Sequence, residues 1–504
     1  ENRAAIDNNT RIQQKYDYII GSNDYELIKG NYSDYTTLPS RYSSRDEGYT
    51  TDVKNQENAG VCWAFAVIAT LETCISKATN KLFYLSEENL KDLSAMMSAY
   101  GTNMETNGGN WHIPALGYLT SWLGPVNESD DKYSDSAMLS PVLNSLVHVQ
   151  NILYLQTPTN FTDNYAIKEA VIKYGAVCAD YYHDDYCYNY NTYGYYCNYQ
   201  PGINHAITIV GWDDNYSKDN FRVAPPGDGA YIVKNSWGPY FGDGGYFYIS
   251  YYDASLFQSG DRNPTFTFVF NESQRFNRNY QYDISGVSNF IYTNRNDVTY
   301  YNQFTSTTDD FLAAFSTYFL DNVNYEASIY VNNQLKTTKS GISNVGYQTI
   351  NLDEVVPISK GDVFKVSLRV TSSNYIAIPI NWYALPSFGA NRLTFGSGVS
   401  YYDTGTRVRD LYNYIAGAKS VACIKAFTTT LDSNIVIDPN IDPTNVNIIA
   451  SVKDQFGNDI SSGVVNFTVN GVSYLANVNN GVATLDNVPN NLKKYDIKAA
   501  LIGD

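Results

Sequence analysis

The stretch VKNQENAGVCWAFAVIATLE, residues Val53 to Glu72, decides the fold of the first half of the chain. A polar loop that contains a glycine leads into Cys62, and an apolar run from Trp63 to Ile75 follows it. This run has strong helix formers and no breaker, so it predicts a buried helix with Cys62 in its first turn.

The start of this helix suggests a chemical role for Cys62. Unpaired amides and the positive end of the helix dipole stabilise a thiolate, which predicts a Cys62 pKa well below the usual value of about 8.5. The alternative is that Cys62 is a small buried apolar residue, as free cysteines often are. Cys62 alone does not decide between the two.

Two later segments favour the chemical role. In GINHAITIVGWDD, His205 opens an apolar run that predicts a central strand. In YIVKNSWGPYFGDGGYFYIS, a predicted strand ends at Asn235 and a glycine-rich loop follows. A histidine at a strand start and an asparagine at a strand end can both project into a cleft, although either one alone is more often structural.

In this order, the three segments resemble the papain-type peptidases, whose triad is Cys-His-Asn. By this resemblance Cys62 is the nucleophile, His205 its base and Asn235 the residue that orients the base. Gln56, six residues before the cysteine, matches the glutamine of the oxyanion hole. Trp237 matches the indole that shields the histidine–asparagine hydrogen bond from water.

A fourth segment extends the resemblance, which covers Leu38 to about Tyr252. Gly108 and Gly109 match the glycines that let an extended peptide pair with the cleft wall. The chain also departs from the family, because Ala59 stands where a disulfide-forming cysteine is usual and Val61 where Ser or Ala is usual. Neither departure removes a catalytic group.

A tyrosine-rich insertion, DYYHDDYCYNYNTYGYYCNYQPG, lies just before His205. Cys187 and Cys197 are the one closely spaced cysteine pair, and we predict that a disulfide between them closes the insertion as a flap near the cleft. The alternative is two free thiols in a surface loop. The other histidines lack metal-ligand spacing and are interpreted as structural: His112, His148 and His183.

From residue 263 to 430, short runs with period-2 alternation predict an antiparallel β-sandwich. The motif QYDISG, Gln281 to Gly286, resembles the start of the lectin-like domain of clostridial cell-surface cysteine proteases. By resemblance this region could cap the cleft, bind a cell-surface glycan or hold a structural calcium ion. No cofactor is required for the predicted chemistry.

Residues 431–504 form a linker and a last β region. Asn470-Gly471 and Asn480-Gly481 separate apolar runs and are strong hairpin signals. The region resembles the immunoglobulin-like repeats of prokaryotic surface proteins. Residues 1–37 occupy the place of a papain-type propeptide but are shorter, so they are either a propeptide remnant or a plain connector. Our hypothesis is that they lie over or beside the cleft.

The whole pattern predicts the α+β class, with a papain-like two-lobed peptidase domain at 38–262, a lectin-like β-sandwich and an immunoglobulin-like domain. With 504 residues, several domains are expected. The 51 acidic against 34 basic residues give a net charge of −17, which argues against nucleic-acid binding. No apolar run reaches the roughly 18 residues that span a membrane.

The predicted function is an extracellular or cell-surface prokaryotic cysteine endopeptidase that acts on protein or peptide substrates. Asn-X-Ser/Thr sequons and the all-β second half favour this location. One alternative is a transglutaminase-like enzyme or endoisopeptidase, which usually has an aspartate in place of Asn235. Another is an adhesin whose peptidase-like region is only a scaffold, and it predicts a missing catalytic group.

Overall fold

The computed structural model of this chain describes residues 19–20, 30, 32, 37–158, 163–200, 202–258, 260, 262–270, 276–384, 388–429, 434–441, 446–453, 459–460, 462–488 and 496–501. The chain divides into two compact units, residues 1–428 and 429–504.

The α-helices of the described residues all lie in the first half of the chain: α1 (Cys62–Thr79), α2 (Glu87–Ser94), α3 (His112–Thr120) and α4 (Tyr165–Tyr174). Helix α1 is the helix predicted from the apolar run, and it begins at Cys62. It ends at Thr79. Asn80 caps it with a left-handed backbone and donates its N–H to the Ser76 carbonyl. None of the described helices is both long enough and apolar enough to cross a bilayer.

The strands up to residue 268 are β1 (Ile19–Ile20), β2 (Arg41–Ser43), β3 (Asn151–Leu155), β4 (Val177–Tyr181), β5 (Tyr188–Asn189), β6 (Gly194–Tyr195), β7 (His205–Asp213), β8 (Ala230–Lys234), β9 (Tyr246–Ser250) and β10 (Thr265–Phe268). Strands β4, β7, β8 and β9 pair antiparallel in that order. Helix α1 lies against β7, where the Thr208 hydroxyl donates to the Ala66 carbonyl at 3.0 Å.

The strands from 278 to 429 are β11 (Arg278–Tyr280), β12 (Asn289–Tyr292), β13 (Asp297–Thr305), β14 (Asp310–Phe319), β15 (Asn324–Val331), β16 (Gln334–Ile342), β17 (Gly346–Ile358), β18 (Val363–Thr371), β19 (Ala377–Tyr383), β20 (Ser400–Asp403), β21 (Val408–Asp410), β22 (Lys419–Ala422) and β23 (Ile424–Thr429). Burial alternates along β13 and β18, as the period-2 pattern predicts. Their inward side chains form one apolar core with β14 and β15.

The two halves of this unit share one sheet. Strand β17 pairs antiparallel with β3, so that Gly346 faces Leu153 and Gln348 faces Asn151. A side chain at Gly346 would stand 2.0 Å from the Ile152 carbonyl, so this close approach requires glycine. Within the described residues, fourteen strands are joined in this way, and the predicted boundary at 262/263 falls between two of them.

The second unit holds β24 (Asn434–Ile441), β25 (Val446–Lys453), β26 (Ser462–Val469), β27 (Val472–Asn479), β28 (Val482–Val488) and β29 (Ile497–Leu501). Both predicted NG turns join paired strands, since Val469 faces Val472 and Asn479 faces Val482. Its core includes Phe467 and Ile448. The immunoglobulin-like assignment stays a prediction.

Candidate active site

The N-terminus of α1 brings the loop around Gly60 against the glycine pair. The Gly60 N–H donates to the Asn107 carbonyl at 2.8 Å, and Gly60 forms a single parallel bridge with Gly108. Cys62, as the first residue of α1, presents a backbone N–H that has no partner within the helix. The predicted nucleophile and the predicted peptide-pairing glycines therefore lie side by side.

Strands β7 and β8 bring the second and third predicted groups together. His205 opens β7 and Asn235 directly follows β8, its antiparallel neighbour. The His205 Nε2 lies 2.8 Å from the Asn235 Oδ1, which also accepts the Ser236 N–H at 2.9 Å. Because an amide oxygen only accepts, Nε2 carries the proton and Nδ1 is left with a lone pair.

One cleft joins these groups. Cys62, His205, Gly108 and Gly109 all line a cavity of about 320 Å³. Site residues from three distant stretches of the sequence thus meet at one surface.

Trp237 covers the imidazole of the candidate base. Its ring centroid lies 4.5 Å from that of His205, with 26° between the planes. His205 and Asn235 are both almost fully buried, which keeps water away from the hydrogen bond that joins them.

Gln56 is held against the same segment. Its backbone N–H donates to the Ser236 carbonyl at 2.8 Å, and its Oε1 accepts the Ser236 hydroxyl at 2.6 Å. Its Nε2 donates to the Ala59 carbonyl at 3.0 Å, which leaves a second N–H on that nitrogen. The orientation of the amide is therefore fixed with nitrogen on the side of the loop before Cys62.

Family comparison agrees with this geometry. The model of the papain family cysteine proteases matches residues 38–258. These residues form a papain-family cysteine protease domain. A second model, that of the lectin-like domain, matches residues 279–428, so both resemblances stated for this part of the sequence are confirmed.

Known proteins share the papain-family domain. Cathepsin S of Bos taurus is 33% identical over 216 residues, which cover 42% of this chain and 59% of cathepsin S. Macrodontain-1 of Ananas macrodontes is 29% identical over 215 residues, which cover 42% of this chain and 89% of macrodontain-1. The chain therefore spans less than two thirds of the length of the cathepsin S that it matches.

Solved structures resemble both domains. The clostridial cysteine protease Cwp84 after propeptide cleavage has a TM-score of 0.68 and 26% identity, and the match covers 78% of this chain and 100% of that one. The cysteine protease and lectin-like domains of Cwp84, a surface layer associated protein of Clostridium difficile, share the fold with a TM-score of 0.65, 24% identity and coverage of 82% and 99%.

Burial sets the resting charge state of the papain-family site. Burial raises the pKa of the Cys62 thiol to about 11, although the Ala206 N–H and the charge of His112 act in the opposite direction. Burial also lowers the pKa of His205 to about 4, against the effect of its Asn235 hydrogen bond. The lowering predicted for Cys62 is therefore wrong for the resting site, because desolvation outweighs the helix end.

A buried ion pair forms part of the cleft wall, and the sequence interpretation missed it. Asp180 lines the cleft and lies 3.3 Å from the His112 Nε2, while the Asn263 amide donates to it at 2.6 Å. Burial lowers the pKa of His112, but the charges and hydrogen bonds of Asp180 and Cys178 together outweigh burial and hold that pKa well above its ordinary value. No local pattern in the sequence signals this pair, because His112 begins α3 and Asp180 lies in β4.

His183, interpreted as structural, lies beside the ring of the candidate base, His205. Its ring centroid is 4.7 Å from that of Trp237 and 6.4 Å from that of His205. The Tyr181 hydroxyl lies 2.8 Å from its Nδ1, and Asp185 lies 3.3 Å from its Nε2. Burial lowers the pKa of His183 despite Asp185, so a charge on this ring is less favourable than on an exposed imidazole.

Cys187 and Cys197 are both buried with free thiols that lie within hydrogen-bond reach of each other, and the disulfide between them stays a prediction. Burial and a hydrogen bond with the Cys197 thiol raise the pKa of Cys187 to about 12. Other contacts close the insertion. Strands β5 and β6 pair within it, and the Cys197 N–H donates to the Asp253 carboxylate at 2.7 Å.

Proposed function

We propose that this chain is a cysteine endopeptidase that hydrolyses peptide bonds through Cys62, His205 and Asn235. The observation that supports this most directly is the His205–Asn235 hydrogen bond at 2.8 Å under Trp237, with His205 lining the same cleft as Cys62. The pattern fits the Cys-His-Asn form of the triad.

The proposed reaction begins with proton transfer from the Cys62 thiol to the His205 Nδ1. Burial disfavours a lone thiolate and a lone imidazolium, but the transfer creates both together and leaves the net charge unchanged. The helix end at Cys62 favours the thiolate, and the Asn235 oxygen favours the imidazolium.

The thiolate then attacks the peptide carbonyl. The Cys62 backbone N–H and the Gln56 amide donate to the oxygen as it gains charge, each contributing about 3 kcal/mol to stabilising the transition state. The imidazolium protonates the leaving amine, and a thioester joins the acyl group to Cys62. His205 then takes a proton from water, which hydrolyses the thioester and releases the acid.

The substrate is an extended peptide that pairs its backbone with Gly108 and Gly109. Gly109 has a φ of +93°, and no atom stands within 4 Å of the place where its side chain would be. Gly109 therefore leaves the backbone of the cleft wall open to a peptide strand.

We propose a prokaryotic surface location for the chain. Cwp84, whose solved domains share this fold, is a surface layer associated protein. The second half would serve surface display, adhesion or glycan contact through its lectin-like domain, and the last unit would be an immunoglobulin-like repeat. Among the described residues no cluster of three His, Cys, Asp or Glu could hold a metal, so a structural calcium stays a prediction without a site.

The test compares the wild type with Cys62→Ala on a peptide library. We expect loss of all turnover with an unchanged thermal unfolding curve. Iodoacetamide should label Cys62 fastest, because it is partly exposed whereas the other five cysteines are buried. Turnover retained by Cys62→Ala, or faster labelling of Cys74 or Cys178, contradicts the proposal.

A further inference from the structure

One asparagine of the lectin-like domain holds a loop of the papain-family domain. The Asn391 Nδ2 lies 3.2 Å from the Ala95 carbonyl oxygen, 2.9 Å from that of Ser98 and 3.1 Å from that of Thr102. Its backbone N–H donates to the Gly101 carbonyl at 2.9 Å. Four carbonyls of one loop thus point at a single residue that lies almost 300 positions away.

The neighbours of Asn391 strengthen this contact. Ala390 forms an antiparallel bridge with Thr102, and the Asn103 N–H donates to the Gly389 carbonyl at 3.0 Å. Phe388 is buried in the same apolar core as helix α1. The segment from 388 to 391 therefore pairs with the loop and is anchored beside it.

The loop held by Asn391 leads directly into the cleft. It begins where α2 ends at Ser94, and it is followed by Met104, which lines the cleft beside Gly108 and Gly109. The Met104 N–H donates to the Thr102 carbonyl at 2.8 Å, and its own carbonyl accepts the Met96 N–H at 2.8 Å. Any shift of Thr102 therefore moves Met104.

We propose that Asn391 is a positioning residue for the peptidase, through which the lectin-like domain sets the shape of the substrate cleft. This inference rests on the proposed peptidase function. Asn391 lies outside the reacting groups and acts through the loop from 95 to 104, so it affects how the peptide is held rather than the chemical step.

The chemistry of the contact explains why asparagine is needed. The Asn391 Nδ2 carries two hydrogens for three carbonyl oxygens, so at least one hydrogen is shared between two of them. In this contact Asn391 only donates hydrogen bonds. Alanine would leave those carbonyls without this donor. Aspartate has the same shape but would place oxygen against oxygen, and it should disturb the loop more than alanine does.

The experiment measures kcat and KM of the full chain on peptides that extend several residues to the N-terminal side of the cleaved bond. We expect Asn391→Ala to raise KM about 10-fold with little change in kcat, since lost hydrogen bonds of this kind are worth about one order of magnitude. Asn391→Asp should raise KM further. Hydrogen exchange at the amides of Met96, Thr102 and Met104 should become faster in both variants.

The matched control is Asn302→Ala. Asn302 also holds carbonyls with its side-chain amide, those of Ala422 at 2.8 Å and Ile424 at 3.0 Å, but all three residues belong to the lectin-like domain. At a temperature where it stays folded, this variant should keep the wild-type KM. A rise in KM equal to that of Asn391→Ala would show that general loss of stability is the cause.

The outcomes separate this inference from the proposed function. A wild type without activity overturns the peptidase function. Hydrogen exchange would still show in that case whether Asn391 holds the loop from 95 to 104. An active wild type with the same KM and loop exchange in Asn391→Ala overturns the positioning role alone. A fall in kcat with unchanged KM also overturns it, because the residue would then act on the chemical step.

Discussion

The indole of Trp237 lies over the imidazole of His205, with 4.5 Å between the ring centroids and 26° between the planes. The contact covers the side of the ring from which water could reach the hydrogen bond to Asn235. A hydrogen bond excluded from water is electrostatically stronger than an exposed one. Trp237 thus contributes to the site without touching the reacting atoms.

Trp237→Ala should lower kcat about 10-fold, because water then competes for the His205 Nε2–H and the ring loses its fixed orientation. Trp237→Phe keeps an aromatic ring over His205 and should retain most of the activity. Steady-state kinetics on one peptide substrate measures both variants. Equal losses in the two variants would contradict shielding by an aromatic ring.

His183→Gln should change the pH profile rather than only the rate. A charge on His183 would oppose a charge on His205, so its removal should raise the pKa of His205 and move the acid limb of kcat/KM upward. His148→Gln is the control, since His148 stacks on Trp122 and does not line the cleft. An acid limb that stays in place for His183→Gln would assign this residue a structural role only.

Gln56→Ala should lower kcat by about 100-fold, because one of two donors to the oxyanion is lost. Ser236→Ala is the matched control. It removes the hydroxyl that holds the Gln56 Oε1 but keeps the Nε2 donor, so its effect should be much smaller. An unchanged kcat in Gln56→Ala would remove this residue from the oxyanion hole.

The kcat/KM of the wild type should fall as the pH drops through about 4. His205 must be neutral to accept the thiol proton, and burial lowers its pKa to about 4. The base is therefore available above this pH and lost below it. The rate of Cys62 alkylation should fall over the same pH range. A fall of kcat/KM centred near the ordinary histidine pKa of about 6.5 would contradict this assignment.

His148 should make the unfolding free energy depend on pH. Burial lowers its pKa to about 3 in the folded chain, so the unfolded chain binds more protons between about pH 6.5 and 3. Stability is therefore lost as the pH falls through this window, by roughly 3 kcal/mol between pH 7 and 4. His148→Phe keeps an aromatic ring against Trp122 and should lose less stability in urea titrations over that range; an equal loss in both proteins would exclude His148 as the source.

The sequence predicted the parts of the site that depend on local signals. The apolar run after Cys62 is helix α1, His205 opens β7, and Asn235 follows β8. Each of these depends on a periodicity or a strand end within a few residues. Gly108 and Gly109 line the same cleft as Cys62, and their part in peptide pairing stays a prediction.

The remaining features depend on pairs of residues distant in sequence. No local sequence pattern indicates the Asp180–His112 ion pair or the hydrogen bond from Asn391 to Thr102. In each case the two partners lie on different elements. The pKa of Cys62 was predicted in the wrong direction because burial cannot be read from the helix start alone. Residues 1–37 lie mostly outside the described part, and their place near the cleft stays a prediction.

Because β3 pairs with β17, the papain-family domain cannot be separated from the lectin-like domain without breaking a shared sheet. Cutting after residue 262 would strip β3 of both its neighbours, β10 and β17, and leave its backbone amides and carbonyls bare. Such an edge recruits other strands, and the excised fragment should aggregate rather than fold. The two domains are therefore expected to be inherited, expressed and unfolded as one cooperative body.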